Sequence, residues 1–268
     1  MLDPILQLVV APGLVGVSTL AGRQWGPRLG GLVSAFPAIV GPVLLVAAHE
    51  HGTAFAAKAA SGTLLGLVAL SGFAVAYGRT ALHARWPTSL TAGWVTAAAI
   101  ALVLAAVDAG PLAGLTAATL SLVVAYRLLP RGVASLGPIP APRWDLPLRM
   151  LLTAVLAVSL AAAANTLGPV VGGLLAALPA LASILAVFTH EQEGAAAIAA
   201  LLRGMLSGMA GFVVFCALVA VLVDRVGVLP TFTAAALAAV AVQAAIAASP
   251  RSAAHTSSCM PMARSSSS

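Results

Sequence analysis

Residues 54–78 of this chain, AFAAKAASGTLLGLVALSGFAVAYG, contain one charged side chain, Lys58, in 25 positions. A helix needs about 20 mostly apolar residues to cross the hydrocarbon core of a bilayer, so this stretch predicts a transmembrane helix. The rest of the chain has the same character, because only 7% of its 268 residues are charged and 61% are hydrophobic. A soluble domain needs about 25% charged residues to cover its core, which excludes that class here.

Similar apolar stretches follow one another along the chain, at 4–21, 29–48, 54–78, 87–107, 110–126, 149–166, 170–189, 195–222 and 229–249. Each is continuous rather than alternating in hydrophobicity, which excludes the strands of an outer-membrane barrel. The chain is therefore predicted to be an all-α integral membrane protein with about nine transmembrane helices.

Basic residues are concentrated in the connections on one side of the predicted spans. Eleven arginines fall on that side, and only Lys58 and Arg225 fall on the other. Loops rich in Lys and Arg stay in the cytoplasm, which predicts an outside N-terminus and a cytoplasmic C-terminus. Trp25, Trp86 and Trp144 lie close to arginines on the same side, as in an interfacial aromatic belt. The net charge of +6 therefore points to anionic lipid rather than to nucleic acid as its partner.

The chain matches itself when it is shifted by 142 residues. Residues 26–66 align without a gap on residues 168–208, with 14 identities in 41 positions. About one match in nine is expected by chance in a chain of this composition, so a duplication is favoured over compositional bias. The first copy holds five predicted spans, and an odd number of spans inverts the second copy in the membrane.

The sequence thus predicts two inverted membrane repeats, residues 1–127 with five spans and residues 149–249 with four. A proline-rich cytoplasmic linker, 128–148, joins them, and a low-complexity cytoplasmic tail, 250–268, follows.

Inverted repeats are typical of secondary transporters, whose sites are built from interrupted helices at matching positions of the two halves. Pro37 and Pro179 occupy matching positions, about a third to a half of the way along the second and seventh predicted spans. A proline inside a helix frees a carbonyl that must find another partner. The predicted substrate-binding residues are Gly30, Gly31, Ser34, Pro37, Gly172, Gly173, Pro179, Ser183, Lys58 and Arg203. The alternative is that the prolines and glycines only kink helices so that they pack.

Lys58 and Arg203 lie a turn or two inside the third and eighth predicted spans. Each cation would either snorkel to the interface or attract an anionic substrate or lipid headgroup. The same helices carry two small-xxx-small pairs, Gly62 with Gly66 and Gly204 with Gly208. These faces predict helix packing, between the two repeats or at a homodimer seam.

Other chemistry has little support in the sequence. The His and Glu residues at 49–51 and 190–193 do not have the spacing of a zinc hydrolase and are predicted to face opposite compartments. No nucleophile elbow or phosphate-binding loop is present, so neither an enzyme nor a cofactor is predicted. All seven acidic residues lie at or near predicted span ends, so a buried carboxylate for proton coupling is not expected.

The segment from Leu29 to Pro37, followed by an apolar run into His49-Glu50-His51-Gly52, resembles the GlpM family of small bacterial inner-membrane proteins. In that family a Gly-Leu-x-x-x-Phe-Pro stretch likewise leads to a polar turn ending in glycine. The whole chain also looks like uncharacterised bacterial polytopic membrane proteins of similar length. These resemblances imply a location in the bacterial inner membrane.

The function expected from the sequence is that of a small secondary transporter or permease. Its partners would be the lipid bilayer and a small-molecule or lipid substrate that the sequence does not identify, with anions among the candidates, and a homo-oligomer is an option. The alternative is a non-transporting membrane protein that supports an envelope-polymer or lipid pathway through protein contacts.

Overall fold

A computed structural model describes residues 2–36, 40–106, 110–130, 144–166 and 179–248. Throughout these ranges the regular structure is helical. The helices are α1 (Leu2–Trp25), α2 (Pro27–Ser34), α3 (Val40–His51), α4 (Thr53–Thr80), α5 (Trp86–Ala105), α6 (Pro111–Leu128), α7 (Asp145–Thr166), α8 (Ala180–Val226) and α9 (Val228–Ala248). The predicted all-α class is confirmed for this part of the chain.

Five of the described helices, α4, α5, α6, α8 and α9, are long and apolar enough to cross a membrane. The chain therefore has the helices of a multi-pass membrane protein, and the predicted spans at 54–78, 87–107, 110–126 and 229–249 match four of them closely. Beyond these five, the predicted count of nine spans is not reproduced by the described helices.

Two predicted spans, the second and the seventh, differ from the observed helices. The second, 29–48, is divided between α2 and α3, with a break after Ser34 and a restart at Val40. The seventh, 170–189, is covered from residue 180 onward by the first part of α8, and the eighth, 195–222, matches the part of α8 that follows the non-helical residue Gly194. Residues 170–178 of the seventh span lie outside the described residues.

Pro179 was predicted to lie inside a span whose first half, 170–178, lies outside the described residues, and α8 itself begins directly after Pro179, at Ala180. The physical reason is that proline has a fixed φ and no N–H, so it suits the start of a helix better than its interior. The predicted linker 128–148 is also too long at its C-terminal end, since α7 already begins at Asp145. The linker residues 131–143 and the tail lie outside the described residues.

Single glycines join consecutive helices at four positions: Gly26, Gly52, Gly194 and Gly227. Gly52 has φ 88 and ψ 167, and Gly194 has φ 81 and ψ −176. This combination of positive φ and extended ψ is essentially restricted to glycine. These junctions therefore need glycine for the backbone turn itself.

The helices of the two halves begin at corresponding positions under the 142-residue shift. Thr53, the first residue of α4, corresponds to residue 195, which follows the Gly194 kink, and Trp86 of α5 corresponds to Val228 of α9. The start of α1 at Leu2 corresponds to residue 144, one residue before α7. We call residues 195–226 the long arm of α8.

The core is centred on α8, which contacts α1, α2, α4, α5, α6, α7 and α9. Its buried side chains pack with those of α4, including the fully buried Phe73 and Tyr77. By contrast, apolar side chains such as Leu112 and Leu237 are largely exposed, as expected where lipid is the solvent.

The closest helix contact is between α2 and the long arm of α8. A Cβ atom on Gly31 would overlap the backbone of Leu201, and one on Gly204 would overlap the carbonyl of Arg28. A Cβ on Gly208 would lie 2.6 Å from the carbonyl oxygen of Leu32. Glycine therefore allows the two backbones to touch, and the packing role predicted for Gly204 and Gly208 is confirmed. The paired glycines Gly62 and Gly66 have no described atom near their Cβ positions.

Candidate functional site

The break before α8 carries a small polar group made of a carbonyl, a hydroxyl and an indole. The Ser183 hydroxyl donates to the carbonyl oxygen of Pro179 at 2.8 Å, and the backbone N–H of Ser183 donates to the same oxygen. The indole Nε1 of Trp94, on α5, donates to the Ser183 hydroxyl oxygen at 2.8 Å. The Pro179 carbonyl is thus hydrogen-bonded within its own helix, and Trp94 of α5 is hydrogen-bonded to the Ser183 hydroxyl of that helix.

The corresponding break in the first half lies after α2. Ser34 is buried, and its hydroxyl donates to the carbonyl oxygen of Gly31 at 2.7 Å. Gly30 lies against α1, where an added Cβ would be 2.7 Å from the carbonyl oxygen of Ser18. Gly31 lies against the turn of α8 that carries Arg203. Gly30 and Gly31 therefore act in helix contacts, which is the alternative that the sequence left open for them.

The remaining predicted residues of the breaks have no described position. Pro37, Gly172 and Gly173 lie outside the described residues. Within the described ranges, no hydrogen bond joins the Ser34 group to the Ser183 group. The structure thus brings Pro179 and Ser183 together, and separately Gly30, Gly31 and Ser34.

The two predicted cations have different surroundings. Lys58 is exposed on α4. The guanidinium of Arg203 lies over the ring of Tyr126, 4.1 Å from its centroid, and donates to the carbonyl oxygens of Tyr126 and Leu129 at 3.1 and 2.9 Å. These carbonyls belong to the last turn of α6, whose free C=O groups favour a cation. Arg203 therefore connects α8 to the end of α6.

A second polar cluster lies where α1, α7 and α8 meet, and we call it the Asp145 network: Arg23, Asp145, Arg149 and Gln192. Asp145 is 0% exposed and accepts hydrogen bonds from Arg23 Nη2 at 2.5 Å and from Arg149 Nε at 2.9 Å. Its other oxygen accepts from Gln192 Nε2 at 2.5 Å, and Arg149 Nη2 donates to Gln192 Oε1 at 2.9 Å. The expectation that no carboxylate is buried is wrong for Asp145.

The burial of Asp145 has a clear electrostatic basis. A buried carboxylate is tolerated when cations and hydrogen-bond donors replace its water, and here two guanidinium groups and one amide do so. Arg149, 4% exposed, also lies over the ring of Phe188, with 4.7 Å from the guanidinium carbon to the centroid. Glu193 is close enough to Arg149 to interact with it electrostatically. Within the described ranges, Asp145 is thus the carboxylate that forms ion pairs with both Arg23 and Arg149.

The network continues along α8 toward α4. The hydroxyl of the fully buried Tyr77 is 3.3 Å from Nδ1 of His190, and the two rings meet edge to face. His190 precedes Gln192 by two residues, close to the Gly194 kink. Polar side chains from α1, α4, α7 and α8 therefore meet at one end of the bundle.

Sequence reasoning missed both Trp94 and the Asp145 network as functional candidates. For Trp94 a signal was present, since it lies well inside a predicted span and away from the arginines that mark the aromatic belt. For Asp145 the signal was its spacing of four residues from Arg149, which places both side chains on one face of a helix. Arg23 and Gln192 could be added only from the tertiary structure.

Within the described ranges, no group of three His, Cys, Asp or Glu residues is arranged to hold a metal ion. The chemistry of both polar groups is that of hydrogen bonding and charge pairing. Comparison with known proteins gives no matching family model, no matching curated protein and no matching solved structure.

Proposed function

We propose that this protein is a small secondary transporter or permease of the bacterial inner membrane, built from two inverted repeats. The observation that carries the proposal is that helices related by the 142-residue shift lie side by side and antiparallel. Arg23, near the end of α1, pairs with Asp145 at the start of α7, and Gly16 of α1 lies against Met150 of α7. Two neighbouring helices that run in opposite directions are what an inversion in the membrane requires.

The second related pair supports the same arrangement. Gly78, near the C-terminal end of α4, lies against Leu202, near the N-terminal end of the long arm of α8. The junction glycines that precede these helices, Gly52 and Gly194, have closely similar backbone angles. The sequence shift and the helix direction therefore agree, whereas the junction angles are shared by Gly26 and Gly227, which the shift does not relate.

The proposed substrate site lies near the two helix breaks. In the described part it includes Pro179, Ser183 and Trp94 on one side and Ser34 on the other, and we add Pro37, Gly172 and Gly173 from the sequence. Broken helices expose backbone dipoles to a substrate at the middle of the membrane. Anions are the substrate class that Lys58 and Arg203 would favour, with Arg203 acting through its charge because its Nη1 already donates to two carbonyls.

Substrate-dependent thermal stabilisation tests this site with a broad panel of candidate compounds. The purified protein is screened against small anions and neutral metabolites, and a hit is then tested for uptake into proteoliposomes. Ser183→Ala and Pro179→Ala are expected to abolish both signals while the protein remains inserted. Ser71→Ala is the matched control, because Ser71 is also buried and also donates to a carbonyl four residues earlier, at 2.8 Å, but lies in α4 away from the breaks.

If both variants transport normally, the site is wrong. If uptake is absent for every compound and altered loops remove a bound partner protein, the chain belongs instead to the non-transporting class. The resemblance to the GlpM family is part of the same proposal.

The inverted topology has its own test by cysteine labelling. His49 and Glu191 are exposed and correspond to each other under the 142-residue shift. Single cysteines are placed at these positions after Cys216→Ala and Cys259→Ala, and an impermeant thiol reagent is applied to one side of the membrane. We expect His49→Cys to be labelled from outside and Glu191→Cys from the cytoplasm. Labelling of both from one side would refute the inversion and the proposed orientation.

A further inference from the structure

We propose that the Asp145 network is a latch that closes one end of the bundle between the two repeats. This inference rests on the proposed transport function, because a transporter must open and close its two ends in turn. The network joins the repeats directly: Arg23 belongs to the first, and Asp145, Arg149 and Gln192 belong to the second. Only the Arg23–Asp145 contact crosses between the repeats within this group.

The geometry suits a contact that can break. Arg149 and Gln192 hold Asp145 from within the second repeat, so Asp145 keeps two donors when Arg23 leaves. The Arg23 side chain is 32% exposed, so its guanidinium can reach water without crossing the core. Loss of the Arg23–Asp145 contact therefore breaks one charge-assisted hydrogen bond and leaves no buried charge without a partner. The contacts of Arg203 with α6 and of Tyr77 with His190 also join the repeats and do not depend on Arg23.

The latch is specific to one end because the second copy of its residues differs. The positions related to Arg23, Asp145, Arg149 and Gln192 by the 142-residue shift are Asn165, Asp3, Gln7 and Glu50. This second set contains two acids and no base, so it cannot form the same ion pair. The Arg23–Asp145 ion pair therefore has no equivalent under the 142-residue shift in the sequence.

Access of reagent to a buried position on α7 tests the latch without a substrate. Thr153 is 1% exposed, and it lies about 12 Å along α7 from Asp145, at 1.5 Å per residue. Thr153→Cys is made after Cys216→Ala and Cys259→Ala, and membrane vesicles of both orientations are treated with an impermeant thiol reagent. Labelling from the network end is expected to be slow with Arg23 present.

Arg23→Gln is expected to speed labelling from the network end by about tenfold, since losing about 1.4 kcal/mol from the closed state raises the open fraction by that factor. Labelling from the opposite end should not change. Arg23→Lys keeps the charge but loses the forked donor, and should give a smaller increase. Arg79→Gln is the matched control, because Arg79 joins α4 to α6 within the first repeat, through a 3.4 Å bond from its Nε to the Leu128 carbonyl, and should leave labelling unchanged.

The proposal is overturned if Arg23→Gln and Asp145→Asn both leave the labelling rate unchanged, or if they raise it equally from both ends, which would indicate general loosening. Size-exclusion profiles identify any variant that fails to fold, and Arg23→Lys then decides in its place. Failure of the transport proposal is separate, because it would show as absent substrate stabilisation and uptake while the one-sided labelling effect persists.

Discussion

Replacement of Asp145 by alanine removes the centre of the network and leaves its cations in place. Arg149, 4% exposed, would lose its carboxylate, and Gln192 would lose the acceptor for its amide. Breaking a buried ion pair from one side typically costs about 3–5 kcal/mol, because the remaining charge stays out of water. In proteins of about 150–250 residues, each kcal/mol lowers the unfolding midpoint by about 2–4 °C, so we expect a fall of roughly 6–20 °C.

Arg23→Gln provides the comparison that makes this magnitude informative. Arg23 is partly exposed, and Asp145 keeps Arg149 and Gln192 after its loss, so the cost should be about 1 kcal/mol. The double replacement of Asp145 by alanine and Arg149 by methionine removes both buried charges and should cost less than Asp145→Ala alone.

Thermal unfolding in detergent, followed by intrinsic fluorescence and by size exclusion, measures all three variants under one condition. If Asp145→Ala and Arg23→Gln shift the midpoint equally and by less than about 4 °C, the carboxylate is not a buried anchor and the reasoning from its burial is refuted. If the double variant has a lower unfolding midpoint than Asp145→Ala alone, desolvation of Arg149 is not the source of the lost stability.

Three further predictions use the same stability assay. Gly204→Ala should lower the free energy of unfolding by about 1–3 kcal/mol, because the added Cβ overlaps the α2 backbone. Gly62→Ala, at the equivalent position with no described neighbour, should have little effect. A comparable loss at Gly62 would mean that another helix covers that face. Trp94→Phe should cost about 1 kcal/mol and Ser183→Ala somewhat more, because Ser183→Ala also removes the bond to the Pro179 carbonyl. The double variant should cost little more than Ser183→Ala alone, because both changes remove the Trp94–Ser183 bond, and full additivity would contradict that bond. Gly194→Asn should lower the free energy of unfolding as much as Gly194→Ala does, by about 1–3 kcal/mol, because the φ and ψ of this residue suit glycine alone. If the asparagine variant were clearly more stable than the alanine variant, the junction would be an ordinary left-handed one.

Much of the helical framework could be predicted from the sequence, because the length of an apolar stretch identifies a membrane helix. The bounds of α4 and α9 differ from the predicted spans by two residues or fewer. The match between residues 26–66 and 168–208 was also detectable, and it pairs Gly52 with Gly194, which both have a positive φ. The predicted boundary between the seventh and eighth spans also agrees with the non-helical residue Gly194 inside α8. Prediction failed at the second span, where the helix ends at Ser34 and a new helix begins at Val40.

The candidate site was less predictable because it depends on distant partners. Arg203 was expected either to snorkel or to attract an anion, and the sequence alone could not identify the C-terminal carbonyls of α6 as the partners of its guanidinium. Asp145 was assigned to a loop end, since the arginine that buries it, Arg23, is 122 residues away in the chain. The sequence contains the charges, but their pairing follows from how α1 and α7 pack.

The one-residue junctions also restrict which kinds of mutation this chain can accept. An insertion of one residue at Gly52 or Gly194 would turn the following helix by about 100° about its axis and move it by about 1.5 Å. With no loop to absorb that rotation, the buried face of the helix would turn toward lipid. Substitutions can therefore accumulate around the junctions while the spacing between them stays fixed. This restriction agrees with the alignment of residues 26–66 on residues 168–208, which has 14 identities in 41 positions and contains no insertion or deletion.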